Sequence, residues 1–222
     1  MIQIINENKI ELNRNEIYRY LGYKNSKPDD NIKKLIDNVI IEANELISYK
    51  ACYNKFPIKI NDNKIDLGFT TVKSENLLKN LKDCDEIILF GATIGAEFDR
   101  LLNKYSKLSP SSAVVLNAIG TASIEAWCNI LSNIFKATEE KNNRFLRPRF
   151  SPGYGDLSIE IQKDIFNVLN CNKNIGLSLT DSLIMTPSKS VTAIIGISKI
   201  DLKCSTKGCE ECKKINCEFR RN

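Results

Sequence analysis

The chain has 222 residues, of which 42% are hydrophobic and 27% are charged, and its formal net charge is +5. This size and composition favour a single folded domain of the α/β or α+β class, and so small and scattered a charge does not indicate a nucleic-acid partner. The N-terminus lacks the apolar core of a signal peptide, and no apolar run approaches the about 20 residues that cross a bilayer. We therefore expect a cytoplasmic protein with no membrane partner.

The chain contains no histidine, which restricts its chemistry more than any other compositional feature. Neither a Ser–His nor a Cys–His nucleophile pair can form, and a metal site cannot use an imidazole ligand. Any catalytic proton transfer has to use a carboxylate, lysine, tyrosine or cysteine side chain, and any transition-metal site has to rely on cysteine.

Local patterns predict an alternation of helices and strands along the chain. The N-terminal part, residues 1–84, is expected to be mainly helical, with one β-hairpin centred on Asn61-Asp62-Asn63. The predicted helices span residues 15–21, 28–48, 74–82, 94–106, 110–136 and 157–169. The predicted strands of the second half are 86–90 and 190–198, the latter rich in β-branched residues.

The organisation of the chain is that of one domain followed by a tail. We find no internal repeat and no linker within residues 1–200, and we interpret them as a single domain. The composition changes abruptly at residue 201, so residues 201–222 are interpreted as a separate Cys-rich tail.

The stretch RPRFSPGYGD, residues 147–156, is the densest group of conformationally special residues in the chain. Its prolines preset φ, and Gly153 and Gly155 permit positive φ or close approach to the backbone. The stretch predicts an ordered, extended loop before a helix that begins at Asp156 or Ser158. Such a loop can present main-chain groups to a ligand at a small cost in ordering entropy.

Arg149 and Tyr154 are the candidate functional side chains of this loop. The planar guanidinium of Arg149 suits a carboxylate or phosphate, and the ring of Tyr154 offers a face to a base or a cation. In the alternative interpretation the loop is purely structural, with a solvated arginine and a tyrosine that packs on the core.

The hexapeptide RFSPGY resembles the R-x-x-P-G-Y signature of the S-adenosylmethionine-binding activation domain of cobalamin-dependent methionine synthase. The resemblance extends over residues 85–198 with the elements in the same order. The upstream segment GTASIEAW is similar to a helix of that family, with Glu125 at its acidic position. A second block, L-T-x-S-x-x-M-x-P-x-x-S-V, is matched by Leu179, Thr180, Ser182, Met185, Pro187, Ser190 and Val191.

The resemblance implies an α+β fold, a twisted antiparallel sheet with flanking helices, that binds S-adenosylmethionine in a shallow groove. Arg149 is then expected to bind the ligand's carboxylate, and Tyr154 to lie near its adenosyl group. Main-chain groups of Ser151 and Gly153 are expected to contact the ligand. Glu125 is expected to face the ammonium or sulfonium charge, or else to be an ordinary surface glutamate.

The function that the resemblance implies is support of reductive methylation, which returns inactive cob(II)alamin to the active cycle. The chain contains no cobalamin-binding segment, so we expect a stand-alone protein whose cobalamin is carried by a corrinoid-binding methionine synthase partner. Flavodoxin or ferredoxin are the candidate electron donors. The chain departs from the family in having no tyrosine pair after the final strand, where Ser198 leads into KIDLKC. It also lacks an obvious counterpart of an aspartate near the start of the family domain.

Four cysteines of the tail form a C-x4-C-x2-C-x4-C pattern: Cys204, Cys209, Cys212 and Cys217. Clustered thiols in a chain expected to be cytosolic indicate metal binding more than disulfides. Both an iron–sulfur cluster and zinc accept four thiolates, and a tail without metal is the third possibility. The other four cysteines are scattered and are expected to be buried as small hydrophobic residues.

Two other functions remain open from the sequence. One is a module that binds or senses S-adenosylmethionine, carries a structural zinc tail and has no redox role. The other is an adaptor that binds nucleic acid or protein and whose Cys-rich tail is stabilised by zinc. The metal of the tail distinguishes the first of these from the activation function.

Overall fold

The computed structural model describes residues 1–23 and 26–201. In chain order, the helices and strands of these ranges are β1 (Gln3–Glu7), α1 (Arg14–Tyr20), α2 (Asp30–Leu46), β2 (Tyr49–Pro57), β3 (Lys59–Asn61), β4 (Lys64–Asp66), β5 (Thr71–Val72), α3 (Glu75–Asn80), β6 (Cys84–Thr93), α4 (Ala96–Leu108), α5 (Pro110–Glu140), β7 (Phe145–Leu146), α6 (Gln162–Leu169), α7 (Cys171–Ile175), β8 (Ser178–Leu179), β9 (Met185–Thr186) and β10 (Ser190–Ser198). A 3-10 turn at Ile159–Ile161 directly precedes α6.

A five-stranded antiparallel sheet in the order β1-β2-β6-β10-β7 organises the fold. The long strands β6 and β10 pair from Ser190 opposite Thr93 to Ser198 opposite Cys84. Both strands are almost continuously apolar, and both are buried along nearly their whole length, as central strands covered on two faces should be. Two smaller ribbons, β3-β4-β5 and β8-β9, lie outside this sheet.

Alternate residues of β6 point to two separate apolar cores, one on each face of the sheet. Ile88 and Phe90 belong to the core that α2, α4 and α5 cover, while Ile87 and Leu89 belong to the core that α3, α6 and α7 cover. Helix α5 packs against α1, α2 and α4 and lies across β6 and β10. A molecule that approaches the sheet from this side therefore meets α5.

The α+β fold with a curled antiparallel sheet and flanking helices confirms the fold class expected from the sequence. The expectation of a mainly helical N-terminal part is wrong in one respect, because β1 and β2 add two strands to the main sheet there. The hydrophobic patterns of β1 and β2 do not indicate strands. The edge strand β1 is mostly exposed, and β2 places Lys50, Asn54 and Lys55 among its apolar residues.

Helix α5 is long and apolar enough, by length and composition alone, to cross a membrane, which the search for apolar runs in the sequence missed. Most of that apolar stretch is buried against the sheet and the neighbouring helices. Its side chains include the fully buried Trp127, whose indole N–H donates to the Lys50 carbonyl at 3.1 Å. The placement is that of a core helix.

The small residues of α5 allow close contact, as their sequence suggests, and Gly120 is the most demanding of them. A Cβ atom at Gly120 would collide with the ring of Phe98 and lie 3.2 Å from Cε of Lys189. We predict that Gly120→Ala lowers the free energy of unfolding by about 1–3 kcal/mol because the Phe98 ring has to move out of its packed position. Urea denaturation followed by Trp127 fluorescence measures the change.

The matched control for this substitution is Asn133→Ala, at an exposed position of the same helix. Alanine has the higher helix propensity, so this variant should be as stable as the wild type or slightly more stable. Equal stabilities of the Gly120→Ala variant and the wild type would contradict the packing described for α4 and α5.

Candidate functional site

The segment from Phe145 to Phe150 forms an irregular edge strand along β10, and one extra residue in it determines where its arginines point. The Arg147 N–H donates to the Gly196 carbonyl at 2.8 Å, and Phe150 and Ile194 exchange both main-chain bonds at 2.8 and 2.9 Å. Three steps of this segment thus match two steps of β10, as in a β-bulge at Pro148. Because of the extra residue, the side chains at 147 and 149 lie on opposite faces of the sheet.

Arg147 is the structural member of this pair. Its side chain is buried and donates to the Lys82 and Ile200 carbonyls at 3.2 Å each. These bonds connect the edge strand to the residues just before β6 and just after β10. Arg147 is therefore not available for a ligand.

Arg149 faces α5 and is half-buried between two of its side chains. Its Nη2 atom lies 3.3 Å from Oε2 of Glu125 and donates to Oδ1 of Asn129 at 3.1 Å. The side chains of Arg149 and Glu125 keep 24% and 34% of their exposure, so both remain within reach of a molecule in solution. Both bonds use Nη2, and Nη1 is the terminal nitrogen whose donors are left for a ligand.

The structure thus brings together Arg149 and Glu125, two residues that are 24 positions apart in sequence. The alternative in which Arg149 is fully solvated does not hold. Asn129 is a member of the site that the sequence interpretation missed. Its signal was its spacing, since it lies one turn after Glu125 on the same face of α5.

Tyr20, at the end of α1, is a second residue that sequence interpretation missed. Helix α1 packs on α5, and Tyr20 is partly buried in the core beside it. Burial raises the pKa of the Tyr20 hydroxyl above its ordinary value, and the negative charge of Glu125 adds to the rise. Tyr20 thus lies close enough to Glu125 for an electrostatic interaction, and α1 lies beside the site.

The turn that follows Arg149 is held by its own main chain. Gly153 N–H donates to the Leu157 carbonyl at 2.9 Å, and Tyr154 N–H donates to the Ser151 carbonyl at 3.2 Å. Gly153 and Gly155 adopt φ of 84° and 56°, in the left-handed region that favours glycine. The turn is closed by its own hydrogen bonds, and these use the Gly153 N–H, one of the main-chain groups of the residues expected at the ligand.

Tyr154 projects from this turn with 71% of its side chain exposed. The alternative in which it packs on the core therefore does not hold. An exposed ring five residues after Arg149 in the chain can cover a ligand but does not by itself form a pocket.

Beyond Phe150 the edge strand leaves β10, and no strand of the described residues pairs with this side of β10 at residues 190–193. We call this unpaired stretch, most of whose residues are buried, the open edge of β10. Thr192 lies on this edge with its side chain buried, and its hydroxyl has no hydrogen-bond partner among the described residues. The open edge, α5 and Arg149 together frame the candidate site.

A shallow depression elsewhere in the fold provides a useful contrast. It is lined by neutral residues of α6, α7 and β8, namely Phe166, Asn167, Asn170, Asn172, Ser178 and Leu179. It offers no charge to an amino-acid group, whereas Arg149 and Glu125 offer both signs. We therefore place the candidate site at α5 and β10.

The sequence left Asp156 and Ser158 as alternatives for the start of the helix that follows. The Asp156 carboxylate instead accepts from the Ser74 hydroxyl and from the N–H groups of Glu75 and Asn76 at 2.6 and 3.2 Å. It therefore caps α3, more than 70 residues away in sequence, and Ser158 caps its own 3-10 turn instead. The cap fixes the far end of the glycine turn.

The four tail cysteines that were expected to bind metal, Cys204, Cys209, Cys212 and Cys217, lie outside the described residues. Within the described ranges, no group of three or more His, Cys, Asp or Glu side chains could hold a metal ion. Of the other cysteines, Cys52, Cys128 and Cys171 are buried, as expected, and Cys84 is partly exposed. Burial raises the pKa of the Cys128 thiol to about 12, so this thiol beside Arg149 is unreactive at neutral pH.

Comparison with known proteins assigns these features to a family. The family model described as "Vitamin B12 dependent methionine synthase, activation domain" matches residues 77–200, more than half of the chain. A crystal structure of the MetH reactivation domain bound to AdoHcy has the same fold, with a TM-score of 0.61 and 15% sequence identity over 88% of this chain and 78% of that one. A comparison with curated proteins gave no match.

The cap of α3 predicts a specific dependence of stability on pH. The Ser74 hydroxyl and the other donors hold the pKa of the Asp156 carboxyl far below its ordinary value. The stabilisation is therefore complete above the unfolded-state pKa of about 4 and is lost as the pH falls below it. Asp156→Asn should lower the melting temperature at pH 7 and flatten its fall between pH 4 and pH 2.

Circular dichroism melts across this pH range measure both effects. Asp164→Asn, which changes an aspartate in the first turn of α6, is the control and should keep the wild-type pH profile. An Asp156→Asn profile that runs parallel to that of the wild type would show that this carboxylate does not stabilise the fold.

Proposed function

Because the chain belongs to the family of vitamin B12-dependent methionine synthase activation domains, we propose that it binds S-adenosylmethionine at Arg149 and supports the reductive methylation of cob(II)alamin on a separate corrinoid-binding methionine synthase. The observation that carries this proposal is the placement of Arg149 between Glu125 and Asn129 on α5. The stand-alone mode of action is part of the proposal.

The charges of the site complement the amino-acid end of S-adenosylmethionine. A carboxylate can accept a charge-assisted hydrogen bond from Nη1 of Arg149. Glu125, directly beside Arg149, can then accept from the ammonium group of the same ligand. One cation and one anion in contact thus suit a zwitterionic group better than they suit a phosphate.

The adenosyl end has two candidate contacts. Tyr154 exposes its ring five residues after Arg149 in the chain, and the buried hydroxyl of Thr192 on β10 has no hydrogen-bond partner among the described residues. Flat rings bind by stacking and by hydrogen bonds, and neither contact requires a charged residue. Arg149 would thus orient one end of the ligand and Tyr154 the other.

The reaction supported by such a site needs placement more than proton transfer. S-adenosylmethionine supplies a methyl group when bound, and the residues of the chain hold and orient it toward the partner. No general base is required, which agrees with a chain that has no histidine. Catalysis by the chain alone is therefore not expected, and the corrinoid partner completes the reaction.

The electron for this reaction has three candidate sources: flavodoxin, ferredoxin or a cluster held by the tail. Cys204, Cys209, Cys212 and Cys217 provide four thiolates, which suit an iron–sulfur cluster or zinc. An iron–sulfur cluster would serve the activation function. A zinc site would instead favour the alternative of a module that binds or senses S-adenosylmethionine.

The ligand proposal predicts that Arg149→Ala weakens the binding of S-adenosylmethionine by roughly 10- to 100-fold, because the carboxylate loses its charged partner. Isothermal titration calorimetry of the full chain measures the affinity. Arg149→Lys keeps the charge without the fork and should give an intermediate affinity.

The control for lost charge is Arg100→Ala, since Arg100 is an exposed arginine of α4. It should bind like the wild type. Saturable binding that is equally strong in Arg149→Ala would remove Arg149 from the site, and a folded wild-type chain that does not bind would overturn the proposed function.

The tail proposal predicts that the protein purified without oxygen is brown and contains iron and sulfide. Replacing the four tail cysteines with serine should remove the colour and slow cob(II)alamin reactivation, because the cluster no longer delivers the electron. Metal analysis and a reactivation assay with the corrinoid partner and a fixed electron donor test both points.

The matched control for the tail replaces the cysteines Cys52, Cys128 and Cys171, all buried, one at a time with alanine, which should leave the metal content unchanged. A colourless zinc protein, with reactivation unaffected by loss of the tail cysteines, would contradict the redox role and support the sensing module.

A further inference from the structure

Lys189, directly before β10, is a second cation on the same face of α5 as Arg149. Its ammonium donates to Oδ1 of Asn117 at 2.8 Å and to Oγ1 of Thr121 at 3.0 Å. Lys189 is half-buried, and both of these partners are neutral. The residue lies within the block that matched the family by sequence, but none of the matched positions includes it.

The nearby carboxylate Asp99 is engaged elsewhere. Its two oxygens accept from the Ser188 N–H and the Ser188 hydroxyl, each at 2.7 Å. Burial lowers the pKa of Lys189 below its ordinary value, against the opposing charge of Asp99. The ammonium is thus a partly desolvated charge whose effect on its surroundings is screened less than that of an exposed lysine.

The position of Lys189 relative to Arg149 follows from the residues of α5 that hold each cation. Lys189 is bound at Asn117 and Thr121, and Arg149 at Glu125 and Asn129. At a helical rise of 1.5 Å per residue, these two attachment points lie about 12 Å apart along α5. Glu125 lies between the cations, one turn beyond Thr121.

The open edge of β10 runs between the same two points. Phe150 pairs with Ile194, and from there the uncovered strand leads back to Ser190, next to Lys189. A ligand held at Arg149 that follows this edge approaches Lys189. The site therefore contains two cations and one carboxylate.

From this arrangement we infer that Lys189 is a specificity-determining residue of the site, which disfavours the sulfonium S-adenosylmethionine relative to the uncharged thioether S-adenosylhomocysteine. The inference rests on the proposed function and deepens it. The two ligands share every group except the methyl on sulfur and differ by one positive charge. A fixed ammonium on the same stretch of α5 repels the sulfonium and leaves the thioether unaffected.

The experiment compares the affinities of both ligands for the wild type and for Lys189→Met, which removes the charge and keeps most of the side-chain volume. For two unit charges about 10 Å apart near a protein surface, Coulomb's law gives an effect of roughly fivefold or more on the ratio of dissociation constants. Lys189→Met should bind S-adenosylmethionine about fivefold more tightly, relative to S-adenosylhomocysteine, than the wild type does. Raising the salt concentration should shrink the difference.

Two control variants separate charge from structure. Lys189→Arg keeps the charge and should keep the wild-type ratio. Lys64→Met removes an exposed lysine of the distant β3–β4 hairpin and should also leave the ratio unchanged.

The outcomes test the role of Lys189 and the proposed function separately. Binding of both ligands with the same ratio in the wild type and Lys189→Met overturns the role of Lys189 and leaves the proposed function standing. Failure of the folded wild type to bind either ligand overturns the proposed function, and the role of Lys189 with it. A ratio that changes equally in Lys64→Met would assign the effect to net charge and would also overturn the inference.

Discussion

The packing of α5 across the central strands is the constraint on which the site depends. This helix buries its apolar face against β6 and β10, and Gly120 lets it approach α4 closely. With that face buried, the polar residues that flank it on α5 lie beside the edge strand and the open edge of β10. Glu125 and Asn129 therefore meet Arg149 without any loop having to place them.

The irregular edge strand supplies the other half of the site. One extra residue at Pro148 turns Arg149 toward α5 and leaves Arg147 buried on the opposite face. The pairing with β10 ends at Phe150. A single bulge thus selects which arginine faces α5. The rigid composition of RPRFSPGYGD is explained by this geometry and by the cap that Asp156 provides to α3.

Much of the fold could be predicted from the sequence, because the helices α2 and α4 have strong apolar periodicity and α5 and β10 are long, mostly apolar runs. Strands β1 and β2 could not, since exposed and charged residues interrupt their patterns. Arg149 and Glu125 were predicted from family resemblance and proved to be in contact. Asn129 and Lys189 were not predicted, because their roles depend on which face of α5 meets the edge of β10, and the sequence alone does not determine that packing.

The central claim is that the ligand lies between α5 and the open edge of β10, and the most direct test is a crystal structure of the protein with S-adenosylhomocysteine. We predict density for the ligand's carboxylate at Nη1 of Arg149, with its ammonium at Glu125 and its adenosyl group toward Tyr154. Density in the neutral depression around Phe166 and Asn170, with Arg149 still bound only to Glu125 and Asn129, would contradict it.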